Sequence, residues 1–436
     1  QRLVYKNTSD KELSNLYLHI YPNAFMDKSK VPFEKEELEN VYYNGFNSGW
    51  IKIHEVKLNN KKVSFKLMGD SSTVLRVTPN TKLKPGEEIQ LNISFKVQLP
   101  NVIGRMGYGE NTINITNWYP IMAVFDSEGW HLDPYFPIGD PFYSDVAEYD
   151  VTLEVPKDYI VAATGNIIKK QEKKGITKYS IYAENVRDFA IILSKDFQLN
   201  TAEVDGISVL SYTLKGERSD LALQYGVEAI KIFNELYGRY PYQQISVVAS
   251  DFFLGGMEYP NLVMIAEGLY TMKEDFPLEY VIAHEVAHQW WYGIVGNNEI
   301  KEPWLDEALT EYATLMYFEV KYGPHIKEQI FEKMIKAQYN NYIDFEADRG
   351  EGILRSLREF NNSQEYSSIV YSKGAMFIEE LRKEMGDEAF IKALREYYQQ
   401  YMFKNATTLN FYEICEGLTD KELKEIFIEW LNIKFE

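Results

Sequence analysis

The sequence predicts an α+β fold in more than one domain, and two successive patterns along its 436 residues predict it. Up to about residue 198, short runs alternate apolar and polar residues as half-buried strands do. After that point apolar residues recur mostly at helical spacing, interrupted by two compact apolar runs that suit buried strands. The expected architecture is an N-terminal all-β domain over 1–198, a β-sandwich or saddle-like sheet, followed by a domain over 199–436 of one small sheet plus helices.

In the first half, Val63 to Leu67, Ile89 to Phe95 and Asp150 to Val155 are typical of the strands, and clusters of Pro, Gly, Asn and Asp separate them. In the second half, Leu221 to Tyr237 reads as a helix, while Ile245 to Ala249 and Leu262 to Ala266 read as strands. Asp275 before Pro277 is a helix-start signal, and the stretch from Leu278 to Tyr292 is continuously helix-compatible. A break at Gly293 and Gly296 ends it, and a further helix starts near Pro303. From Lys373 onward the pattern is helical, with Leu423, Ile426, Phe427, Trp430 and Leu431 on one apolar stripe that suits packing.

Composition narrows the function classes. An apolar content of 45% with 25% charged residues is ordinary for globular proteins and argues against wholesale disorder. The formal net charge of −19 disfavours nucleic acid and anionic membrane surfaces as partners, because phosphate recognition needs clustered Lys and Arg. It favours cationic ligands at long range, although solubility alone accounts for most such charge. Cys415 is the one cysteine, so neither an intrachain disulfide nor a cysteine-based metal site is expected. No run reaches the roughly 18 apolar residues of a transmembrane segment. The sequence opens at Gln1 without a leader-like segment, as expected of a domain entered midway or a processed product, and both a cytoplasmic and a cell-surface location stay open.

The chemistry concentrates at His284-Glu285-Val286-Ala287-His288. On a helix, residues four apart share a face, so His284 and His288 can offer two imidazole nitrogens to one ion with Glu285 beside them as a base. A hydrolytic zinc site needs three protein ligands and one open position. Glu307, 19 positions beyond His288 on the next helix, is the candidate third ligand. Glu311 falls one turn further along the same face, where it can orient a ligating histidine.

The HExxH, 18 intervening residues and Glu resemble the gluzincin zinc aminopeptidases, the aminopeptidase N and leukotriene hydrolase group. Gly255-Gly256-Met257-Glu258-Tyr259 lies where that family carries its GxMEN motif, and Tyr371-Ser372-Lys373-Gly374 where it carries YxKG. The resemblance implies a thermolysin-like zinc catalytic domain with one Zn2+ per chain held by His284, His288 and Glu307. It also implies Glu285 as general base and Tyr371 as the donor that stabilises the oxyanion. Glu258 would hold the amino terminus of a peptide substrate, with Gly255, Gly256 and Met257 beside it at the substrate-binding edge. Tyr259 stands where the family has Asn, which puts the local backbone geometry in question. Asn111 is a candidate second amine contact, and Tyr366 a candidate for the site wall.

Most members of that family continue into a large helical C-terminal domain, and the sequence has the length of a short form without it. Three functions therefore stand at this point. They are a zinc aminopeptidase acting on peptides with a free N-terminus, a more open zinc endopeptidase or oligopeptidase, and a non-catalytic peptide-binding scaffold.

Overall fold

The computed structural model describes residues 1–214, 218–345 and 352–435. Two compact units emerge, one of Gln1–Pro137 with Pro141–Ser144 and one of Ile138–Asp140 with Asp145–Glu436. The expected α+β class is borne out: strands dominate the first part of the chain, and a small sheet with many helices the second. The strands between Ala147 and Ser194, which the expected division at residue 198 puts in the first domain, lie in the second unit.

The first unit contains two four-stranded antiparallel sheets. One orders Arg2–Lys6, Glu88–Gln98, Trp50–Leu58 and Lys61–Lys62, and the other Ile121–Met122, Leu16–His19, Val74–Val77 and Phe65–Met68. Side chains from both sheets share one core, including Leu16, Leu18, Leu75 and Val77 from one and Ile51, Val56, Leu91 and Ile93 from the other. Along Trp50–Leu58 the buried residues fall at 51, 53, 56 and 58, a spacing that strict alternation cannot place on one face. A register shift between Ile53 and Glu55 supplies the extra residue, and all four side chains turn inward.

The second unit opens with a three-stranded antiparallel sheet of Ala147–Pro156, Ile176–Val186 and Asn166–Lys173. Its central feature is a five-stranded sheet in the order Gln198–Val204, Ile207–Thr213, Gln244–Ser250, Leu262–Ala266, Gly256–Met257. The three middle strands are parallel and the two edges antiparallel. Every residue of Gln244–Ser250 and Leu262–Ala266 is buried, which is why they read as continuous apolar runs. The short strand Gly256–Met257 is the sheet edge.

Helices Ser219–Tyr237, Phe276–Ala287 and Trp304–Tyr322 follow in the chain. The second is shorter than the sequence implies, ending at Ala287 and not at Tyr292. Its last turn opens into bonds from Gly293, Ile294 and Val295 back to the carbonyls of His288, Gln289 and Trp290, five residues earlier, and Tyr292 takes a positive φ of 136°. The buried Arg187 fixes this turn, donating from Nε to the Tyr292 carbonyl at 2.7 Å and from Nη2 to the Lys404 carbonyl at 2.6 Å. A side chain at position 296 would overlap the Arg187 guanidinium, so Gly296 is required there by space. Downstream, Ser367–Lys373 is a π-helical stretch that runs directly into helix Gly374–Met385. In helix Lys424–Leu431 and its start, Leu423, Phe427 and Leu431 are fully buried, as the stripe predicts. Among the described residues no helix is long and apolar enough to cross a membrane.

The shared core of the first unit gives a direct expectation. Leu91→Ala removes a fully buried side chain and should lower that unit's unfolding free energy by about 2–5 kcal/mol, whereas Lys52→Ala on the solvent face of the same sheet should change it by less than about 0.5 kcal/mol. Chemical denaturation of the two variants checks this, and equal midpoints would contradict the shared core.

Candidate active site

Two helices build the centre of the site. Phe276–Ala287 carries His284 and Glu285, and His288 caps it in helical geometry with its amide still bonded to the His284 carbonyl at 3.2 Å. The one-turn spacing therefore survives although the helix ends there, and both imidazoles point the same way. Helix Trp304–Tyr322 opposes them with Asp306, Glu307, Thr310, Glu311 and Thr314, positions whose spacing puts them on one face.

The three expected ligands come together. His284 Nε2 and His288 Nε2 are 3.1 Å apart, and Glu307 Oε2 stands 3.5 and 3.3 Å from them. All three side chains are buried. Zinc bonds of about 2.05 Å in tetrahedral geometry put ligand atoms about 3.4 Å apart, so the donor set and its spacing fit a zinc ion.

The outward-facing nitrogens are held separately. His288 Nδ1 lies 2.6 Å from Asp306 Oδ1 and 3.1 Å from Thr310 Oγ1. His284 Nδ1 lies 3.1 Å from Glu311 Oε2 and 3.4 Å from Thr314 Oγ1, and Tyr280 donates its hydroxyl to the other Glu311 oxygen at 2.6 Å. A carboxylate on each Nδ1 favours the tautomer that protonates it, which leaves both Nε2 lone pairs facing inward. Glu311 was legible in sequence from its helical spacing to Glu307. Asp306 was not singled out, because its partner His288 is reached only once the two helices pack.

Glu285 and Glu258 form a second set with His288, one ligand atom from each lying within 4.8 Å of the others. Glu285 Oε2 and Glu258 Oε1 are buried and have no hydrogen-bond partner among the described residues. The two glycines beside them differ. A methyl at Gly256 would overlap the Glu285 carboxyl group, whereas one at Gly255 would meet only Val281, at 3.5 Å. Met257 is 1% exposed and follows Gly256 on the edge strand. Tyr259 is fully buried. Gln289, absent from the sequence reading, fixes this segment: its Nε2 donates to the carbonyls of Glu258 and Tyr259 at 3.3 and 3.2 Å, and its Oε1 accepts the Asn261 amide at 2.8 Å. The residue next to His288 thus ties the Glu258 segment to the histidine pair.

Tyr371 comes from the π-helical stretch and lays its ring nearly parallel to that of His284, 5.9 Å between centroids and 13° between planes. The Tyr366 ring packs edge-on against Tyr371 at 5.8 Å, and its buried hydroxyl has no partner among the described residues. Asn111 lies in the first unit, between Gly107–Tyr108 and Ile113–Ile115.

The electrostatics follow from burial and crowding. Burial pushes the Glu285 carboxyl up to about 7, against the pull of the two histidines. Burial, reinforced by the Asp140 carboxylate, holds Glu258 well above the usual carboxyl range. For Glu307 burial acts in the same direction, but His288 and His284 outweigh it and keep the group ionised. Burial disfavours charge on His284, and Glu307 and Glu311 outweigh it, raising the ring to about 9. Asp140 and Glu299 are two further buried acids in this field that sequence reasoning missed, since neither lies in a motif of the HExxH region.

With this geometry in hand, the likenesses to known proteins agree. Residues 221–430 match the model of the Peptidase family M1 domain. Aminopeptidase M1-B of Oryza sativa subsp. japonica is 26% identical over 337 residues, covering 71% of this chain and 37% of that protein. Aminopeptidase M1 of Arabidopsis thaliana is 25% identical over 420 residues, covering 87% of this chain and 46% of that protein. The chain therefore spans less than half the length of these curated relatives. The crystal structure of an M1 zinc metallopeptidase from Deinococcus radiodurans superposes with a TM-score of 0.71 at 17% identity, over 100% of this chain and 90% of that one, and shares the fold. The stretch that matches the Peptidase family M1 domain contains the HExxH, Glu307 and Tyr371 segments, so residues 221–430 are similar to that domain across the whole candidate site.

Proposed function

We propose that the chain is a zinc-dependent aminopeptidase that removes residues from the N-terminus of peptides. The observation that carries this reading is the meeting of two ligand sets at His288. The triad His284, His288 and Glu307 suits one zinc ion, and the unpaired carboxyls of Glu285 and Glu258 stand next to it. Taken by element type, residues 199–436 form the catalytic domain and 1–198 the all-β domain before it.

Zinc at the triad would polarise the scissile carbonyl and bring the pKa of a coordinated water to about 7. Glu285 takes the proton of the attacking water and returns it to the leaving amine. Its desolvated, unpaired carboxyl, with a pKa near 7, can do both near neutral pH. Glu258 receives the cationic amino group of the substrate. A buried carboxyl without a partner gains a counter-ion when the amine arrives, and its fixed distance from Glu285 restricts attack to the first peptide bond. Gly256 leaves the space that Glu285 occupies, and the Gly256–Met257 edge offers main-chain groups to an extended peptide. Tyr371 donates its hydroxyl hydrogen to the oxyanion. Asp306 and Glu311 keep the two imidazoles oriented, the first through His288 and the second through His284.

Three outcomes are expected. Glu285→Gln should keep its zinc, measured by metal analysis, and lose turnover by at least about 10²-fold; a zinc-loaded variant with near wild-type rates would remove Glu285 from the base role. Asp306→Ala should weaken zinc binding about 10–100-fold in chelator competition, and an unchanged affinity would contradict the orienting role. A peptide with a free amino terminus should be cleaved and its N-acetylated form should not. Comparable cleavage of both would point to an endopeptidase.

A further inference from the structure

The junction between the π-helical stretch Ser367–Lys373 and the helix Gly374–Met385 contains a glycine whose conformation does not call for one. Gly374 has φ −58° and ψ −50°, ordinary right-handed helical values. Glycine is the poorest helix former after proline, so at such a position something other than backbone freedom must exclude a side chain. Space does so here. A methyl at Gly374 would stand 2.5 Å from Ala308 Cβ and 3.5 Å from Ala308 Cα.

Ala308 is the residue next to Glu307, and Tyr371 lies three positions before Gly374. This contact therefore sits beside the proposed third metal ligand on one side and the proposed oxyanion donor on the other. We infer that Gly374 is a positioning residue: the missing side chain lets the Tyr371 segment seat on Ala308 at the depth that brings the Tyr371 hydroxyl to the metal site. This rests on the proposed role of Tyr371.

The direction of any displacement is set by the stiffness of the partners. The helix Trp304–Tyr322 is five turns long and buried at every residue from Trp304 to Phe318, so it has nowhere to retreat. The Tyr371 side is seven residues of π-helix, a looser form that occurs mostly as short pieces at functional sites. Ordinary carbon contacts need about 3.5–4.0 Å, so a methyl at 374 must move that side by about 1 Å. A misplacement of that size can cost up to about 10²-fold in rate. Zinc binding is spared, because His284, His288 and Glu307 all lie on elements other than the one that moves.

The test is a set of four variants of the full chain, with kcat, KM, zinc content and thermal unfolding measured on one amino-acid amide. G374A should keep its zinc and lose about tenfold or more in kcat with little change in KM. Adding Ala308→Gly should restore kcat to within about threefold, because it removes the atom that the new methyl meets. In a Tyr371→Phe background, itself reduced about 10²–10³-fold, Gly374→Ala should cost less than about twofold more. Wild-type kcat in G374A, a loss that A308G does not relieve, or an undiminished further loss in the Tyr371→Phe background would each overturn the seat. If G374A does not fold, the A308G/G374A double variant carries the test: folded and active supports the seat, and folded but impaired, or unfolded, overturns it. A Tyr371→Phe variant with wild-type turnover would refute the oxyanion role instead, whereas an impaired Tyr371→Phe beside a fully active G374A refutes only the seat.

Discussion

The site depends on one helix pair. The face of Trp304–Tyr322 that carries Asp306, Glu307, Thr310, Glu311 and Thr314 packs on the end of Phe276–Ala287, and through it each imidazole is gripped at two points. Glu307 faces both Nε2 atoms, while Asp306 and Glu311 take one Nδ1 each. Three nitrogen and oxygen donors that would repel or collapse onto one another in water are held apart at the spacing of a tetrahedral ion. The cost is a buried concentration of carboxyls that must share two histidine charges, and the raised Glu285, Glu258 and Asp306 are its direct expression.

The remaining elements serve this pair by fixing what approaches it. The five-stranded sheet delivers the Gly256–Met257 edge, and Gln289 fastens the following segment to the residue after His288. Glu258 and the histidine pair are thereby tied together through the side chain of one residue. Arg187 performs the same service behind the histidines, where a strained turn at Tyr292 would otherwise be free to open. Tyr371 arrives from a different segment, with its ring stacked on that of His284.

Much of this was legible in the sequence where local periodicity decides it. Helical spacing predicts that His284 and His288 share a face, that Glu311 follows Glu307 by one turn, and that Leu423, Phe427 and Leu431 pack together. The buried strands at Gln244–Ser250 and Leu262–Ala266 were equally plain as apolar runs. What local pattern cannot carry is the identity of tertiary partners. Asp306, Gln289, Asp140 and Glu299 were missed because each acts on a residue distant in sequence or outside its own motif. The helix end at Ala287 was misplaced since Trp290, Trp291 and Tyr292 continue the apolar pattern while their backbone turns away. Gly255 and Gly256 look alike in the motif, yet only Gly256 abuts Glu285. The π-helical turn around Tyr371 is invisible for a similar reason, as its composition matches that of an α-helix.

As proposed, His284, His288 and Glu307 form one zinc site on which peptide hydrolysis depends. The most direct measurement is a titration of purified chain with zinc after chelation, following bound metal and amino-acid amide hydrolysis together. Activity should vanish on chelation and return in proportion to zinc, saturating at one ion per chain. Full activity in metal-free protein, or zinc binding at one per chain that restores no activity, would contradict it.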